Sequence, residues 1–103
     1  MDLSASTPRL RREQVAGMNI HYIMWSLDYF LDAQQRLGFK TIELWAAEPH
    51  VTLDHTGYFE ADELRRKIES RGLSVSSLCP ENVVYPWQYA ARKPLHAQRS
   101  LAY

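Results

Sequence analysis

The sequence predicts an α/β fold made of parallel strand–helix units, and three observations carry that prediction. A glycine followed by an apolar residue and a short strand-like run occurs three times, at Gly17-Met18-Asn19-Ile20, Gly38-Phe39-Lys40-Thr41-Ile42-Glu43-Leu44-Trp45 and Gly72-Leu73-Ser74-Val75-Ser76-Ser77-Leu78-Cys79. Amphipathic helix patterns separate these runs, and parallel neighbours need such a crossover. The turns from helix to strand are only a glycine and a residue or two. The connections after the second and third strands instead run roughly from Ala46 to Tyr58 and from Pro80 to Pro94. Connections that long usually bind something when they are ordered, and in parallel α/β folds chemistry collects where the strands end.

Along the chain, Met1 to Ala16 reads as a polar leader, poorly ordered, and residues 17–103 as the strand–helix units. The first strand is expected to continue to about Trp25, with Asn19, His21 and Ile23 on one face and Ile20, Tyr22 and Met24 on the other. Ser26 is the expected N-cap of the first helix, with Asp28 at the positive end of its dipole. Leu27, Phe30, Leu31, Ala33 and Leu37 form its buried stripe, and Gly38 stops it. The second strand puts Thr41, Glu43 and Trp45 opposite Ile42 and Leu44. The second helix, roughly Phe59 to Arg71, has acids first and bases last, a Glu63–Lys67 pair one turn apart and a Phe59, Leu64, Ile68 stripe. Its charge run reads as a solvated face. A third helix opens with Leu95, Ala97, Leu101 and Ala102 and reaches Tyr103 without a stop signal.

A closed eight-unit barrel takes about 250 residues, so a chain of 103 residues is expected to hold three strands and to break off in the third helix. An open three-stranded sheet leaves edges uncovered, so a homo-oligomer is expected for the chain alone. Twelve basic and twelve acidic residues cancel, which gives no electrostatic reason for a nucleic-acid or anionic-membrane partner. No apolar run approaches the roughly 20 residues of a membrane helix, and no secretory signal follows the N-terminal arginines. The single cysteine, Cys79, fits a reducing cytoplasm and reads as inert, since nothing beside it in sequence activates a thiol.

Several residues are candidates for chemistry. Glu43 lies in an apolar strand, so its carboxylate must be paired, hydrogen-bonded or facing a polar cavity. Glu48-Pro49-His50 and Asp54-His55 place two imidazoles and two carboxylates in one loop, in a spacing that fits no compact metal motif. Polar loop residues without a ligand role are the simpler reading there, followed by substrate contact through His50. His21 is a core or cavity residue before it is a catalyst. Trp25, Trp45 and Trp87 come at or beyond strand ends, where indoles either fill the core or stack on sugar faces. Glu81, just after Cys79-Pro80, is expected to share the mouth with Glu48 and His50.

Two runs, Gly38 to Trp45 with Glu48-Pro49-His50, and Cys79-Pro80-Glu81-Asn82-Val83-Val84-Tyr85-Pro86, are similar to the first part of the sugar phosphate isomerase/epimerase family. These are xylose-isomerase-like TIM barrels, and the fructoselysine 3-epimerase branch resembles this chain most. The resemblance covers about Met18 to Tyr103. It implies that the chain is the N-terminal βαβαβ(α) portion of a (β/α)8 barrel, with three parallel strands of an incomplete barrel. It further implies a divalent metal, commonly manganese, in the intact barrel and epimerisation of a ketose or ketosamine at C3. In that chemistry one glutamate removes the proton next to the carbonyl and a second returns it from the opposite face. In the family those glutamates and the metal ligands come from later strands, so the resemblance implies no catalytic residue and no bound metal in this chain. His50, Glu81, Tyr22 and Trp45 are then expected on the substrate side, with Glu43 and His21 in the barrel interior or behind the substrate residues. A sugar or sugar derivative is the implied small-molecule partner.

Two rivals stand beside this expectation. The metal-dependent abasic-site endonucleases share the barrel, but neutral charge and mouth loops without basic clusters speak against them. A small non-catalytic α/β remnant would instead oligomerise through its exposed sheet edges.

Overall fold

Two helical crossovers of the same kind decide the architecture. The computed structural model describes residues 8–51, 60–80 and 92–102. Within them lie strands β1 (Ala16–Met18), β2 (Thr41–Ala46) and β3 (Ser74–Pro80) and helices α1 (Leu27–Leu37), α2 (Ala61–Glu69) and α3 (Pro94–Ala102). The strands form one sheet in the order β1-β2-β3, and both pairings are parallel. The expected α/β class with three parallel strands is therefore observed, as an open sheet. No helix among the described residues is long and apolar enough to cross a membrane.

The caps explain where α1 begins and ends. Ser26 Oγ accepts the Tyr29 amide at 3.1 Å, satisfying one of the donors left free at a helix N-terminus. Gly38 closes the helix at φ 80°, and the Phe39 amide then bonds back to the Gln34 carbonyl at 3.1 Å. A Cβ is disfavoured in that left-handed conformation. Leu27, Phe30, Leu31 and Ala33 are buried as the periodicity predicts, whereas Leu37 is 49% exposed. Leu37 occupies the last helical position before Gly38, beyond the part of the stripe that meets the sheet.

Phe30 and Leu31 of α1 pack with Ile42 of β2, with Ile68 of α2 and with Leu73, forming the main core on one face of the sheet. Burying side chains of this size stabilises by roughly 2–3 kcal/mol each. A second cluster of Leu44, Ala46 and Val51 sits nearer the end of β2, and Leu64 packs against both clusters. Phe59, expected in the α2 stripe, lies outside the described residues.

A bulge sets the pattern of β3. Ile42 pairs with Val75 but Glu43 pairs with Ser77, so Ser76 is the extra residue, and its hydroxyl donates to the Ile42 carbonyl at 3.1 Å. Leu78 then falls opposite Leu44 as Val75 falls opposite Ile42. Both therefore come to the helix-covered side, although a spacing of three would separate them in a regular strand. Val75 helps line an apolar cavity of about 300 Å³ with Leu44, Leu64, Ile68 and Leu73.

Ion pairs join α1 to α2 and to the turn that follows it. Arg71 reaches Asp32 at 2.6 Å and Asp28 at 3.0 Å, and Lys67 reaches Asp28 at 3.2 Å. The Glu63–Lys67 pair expected within α2 is present at 3.7 Å. Lys67 at the end of α2 and Arg71 just beyond it thus reach across to α1 from a face that remains partly solvated. Burial pushes the Asp28 carboxyl up, but the hydrogen bonds and charges of Lys67 and Arg71 outweigh it and hold the carboxyl below its ordinary value.

Two predictions follow from this packing. The Gln34 side-chain oxygen is buried without a hydrogen-bond partner among the described residues and lies where a Cβ on Gly17 would stand. Gly17→Ala is expected to lower unfolding free energy by about 1–3 kcal/mol in urea titrations. A carboxylate held below its unfolded value stabilises above that value and loses its contribution as pH falls through the folded one. Acid titration of stability should therefore show a loss below the ordinary carboxylate range that shrinks in Asp28→Asn, by at most about 1 kcal/mol because the pairs are solvated.

Candidate functional site

The C-terminal ends of β1 and β2 are tied together by one side chain. Asn19 follows β1 directly and is fully buried. Its Oδ1 accepts the Trp45 amide at 2.6 Å and its Nδ2 donates to the Trp45 carbonyl at 3.0 Å. The side-chain amide thus does for β2 what another residue of β1 would have done, pairing a backbone N–H and C=O that are otherwise costly to bury.

That substitution explains a correction to the strand reading. β1 ends at Met18, and Asn19–Tyr22 form a turn of 3-10 helix. His21 and Tyr22 are therefore in a turn, not in a strand with alternating faces. His21 is exposed. Tyr22 is half-buried, its ring 5.1 Å from that of Phe30, 6.3 Å from Trp25 and 6.2 Å from Tyr29. Trp25 and Tyr29 lie nearly parallel, 6.0 Å apart with an interplanar angle of 20°. Both stay about half exposed, at 52% and 48%. An aromatic surface thus borders the rim at the start of α1.

His50 completes the arrangement from the turn after β2. Its Nδ1 lies 3.0 Å from Asn19 Nδ2 and its Nε2 lies 2.8 Å from the Trp25 carbonyl. Because Asn19 Oδ1 is committed to an N–H, the amide nitrogen is what faces the imidazole. His50 Nδ1 is then the acceptor and Nε2–H the donor, which is the neutral Nε2–H tautomer. Both ring nitrogens are occupied by the protein itself, so this histidine joins three segments of chain.

The other expected site residues are distributed as follows. Trp45 contributes its backbone, for its side chain is buried at 8% exposure. Glu43 is half-buried in β2, paired across the sheet with Ser77, and Cys79 is a half-buried free thiol opposite Trp45. Glu81, Asp54, His55 and Trp87 lie outside the described residues. Among the described residues, no group of three or more His, Cys, Asp or Glu side chains is placed to share a metal ion. Sequence reasoning missed Asn19 as the residue that organises the rim. The available signal was a residue prone to form local side-chain hydrogen bonds, directly after a strand-like run.

Comparison with protein-family models, with curated proteins and with solved structures finds no match.

Asn19→Leu keeps the volume but removes both hydrogen bonds that the Asn19 side chain makes to the Trp45 backbone. Chemical denaturation should show a loss of about 2–4 kcal/mol, larger than the cost of a typical single hydrogen bond. Long-range proton–nitrogen NMR spectra of His50 at neutral pH should show the Nε2–H tautomer; the Nδ1–H tautomer would contradict the assignment.

Proposed function

We propose that this chain forms the first three strand–helix units of a sugar isomerase/epimerase barrel acting on a ketose or ketosamine by removing the proton next to the carbonyl. What most supports the reading is the sequential parallel order β1-β2-β3 with the buried apolar core on one face. The motif resemblance of Gly38 to Trp45 with Glu48-Pro49-His50, and of Cys79 to Pro86, adds to it. In this reading Asn19 and His50 order the rim, and the surface around Tyr22 and Trp25 meets the sugar, since pyranose and furanose faces stack on aromatic rings. The resemblance assigns Glu81, which lies outside the described residues, to the same substrate side. The described residues do not fit a metal site, and they are assigned no ligand role and no proton-transfer step.

A second reading is favoured by one observation: every β3 residue except Cys79 is exposed, with Leu78 at 59% and Val75 at 43%. A non-catalytic α/β module would pair through that edge.

The test is proton exchange. The product of the entire reading frame, purified and supplied with Mn²⁺, is incubated in D2O with a panel of ketoses and ketosamines. Exchange of the proton at the carbon next to the carbonyl, visible by NMR, is expected for at least one of them, and none is expected for the 103-residue chain by itself. No exchange with any sugar, together with a discrete oligomer in sedimentation, would replace the first reading with the second.

A further inference from the structure

We propose that His50 is a proton-operated latch: protonating its imidazole releases the Trp25 segment from the rim while the sheet beneath stays intact. The inference rests on hydrogen-bond geometry and holds whichever reaction the rim serves.

The argument starts from the fixed orientation of Asn19. Trp45 presents its N–H to Asn19 Oδ1 at 2.6 Å and its carbonyl to Nδ2 at 3.0 Å, so turning the amide over would set donor against donor and acceptor against acceptor. Asn19 therefore offers His50 only an N–H, and Nδ1 of the imidazole must keep its lone pair to accept it at 3.0 Å. A proton taken up from solvent binds at that lone pair. The contact then becomes two donors face to face, and Asn19, buried and bound to β2, cannot adjust. His50 must move.

The movement has a defined consequence. Nε2–H of His50 donates to the Trp25 carbonyl at 2.8 Å, so displacement of the ring withdraws that donor from the segment between the 3-10 turn and α1. Trp25 is tied to the turn by its own amide, which donates to the Tyr22 carbonyl at 2.9 Å, and its ring stacks on Tyr29. Below this segment, Phe30 and Leu31 remain in the core. The released unit is the exposed aromatic surface, and the sheet does not open.

Other ionisable groups on the surrounding elements are distinguishable from the latch. Glu48 lies in the same turn as His50 and is exposed, His21 and Tyr22 lie in the turn that follows β1, and Glu43 is half-buried in β2. Asp28, at the start of α1, is bound by Lys67 and Arg71. None of them is a hydrogen-bond partner of the imidazole, whose two nitrogens face Asn19 and Trp25.

The experiment follows the full chain by NMR from pH 8 to pH 5. His50 protonation is read from its ring nitrogen shifts, and the rim from the Trp25 indole resonance and the exchange rate of the Trp25 amide. The Trp25 signals should move with the His50 titration, and its amide exchange should rise at least about tenfold beyond the intrinsic pH dependence, the mark of a local opening. The Phe30 and Ile42 amides should stay protected. His50→Gln should remove the response and His21→Gln should retain it. Trp25 signals that stay constant while His50 becomes charged would overturn the latch, and so would a His50 that stays neutral down to pH 5. So would a response that survives in His50→Gln or disappears in His21→Gln. Should His50→Gln fail to fold, coincidence or non-coincidence of the two wild-type titrations decides the matter.

Discussion

A single buried amide governs how the strand ends are arranged. A β1 of three residues is too short to hold its own C-terminal end against β2 through backbone bonds alone, and the chain turns away at Asn19. Buried backbone N–H and C=O groups are costly to leave without hydrogen bonds. Asn19 resolves the conflict, because its side chain carries the same donor and acceptor as a peptide unit. Once that amide is fixed, the orientation of His50 follows, and with it the position of the Trp25 carbonyl.

Much of the fold was legible because its signals are local. Ser26, Gly38 and Gly72 punctuate the elements through capping and left-handed turns, and Phe30, Leu31 and Ile68 fall where helical periodicity puts them. The β1 boundary was not legible. Ile20, Tyr22 and Met24 alternate with Asn19, His21 and Ile23 as a strand would, and the tertiary hydrogen bonds of Asn19 override that pattern. The side of the sheet on which Leu78 lies was equally hidden, since it depends on the extra residue Ser76.

The candidate site was legible in location more than in detail. The region after β2 holds His50 as the order of elements implied, but its partners are 25 and 31 residues away in sequence, and no spacing rule joins them. Trp45 was singled out for its indole, whereas its backbone is what the rim uses. The Lys67 and Arg71 pairs with Asp28 and Asp32 were missed for the same reason: the sequence shows a charged helix face and not the helix opposite it. Long-range geometry, set by packing, supplied what residue pattern could not.

The most direct measurement of this account is native-state hydrogen exchange at the Trp45 amide. If Asn19 pairs with it in a water-excluded site, Trp45 N–H should be among the slowest-exchanging amides and should open only with the core formed by Phe30, Leu31 and Ile42. Exchange at a rate typical of exposed loop amides, with that core still protected, would contradict it.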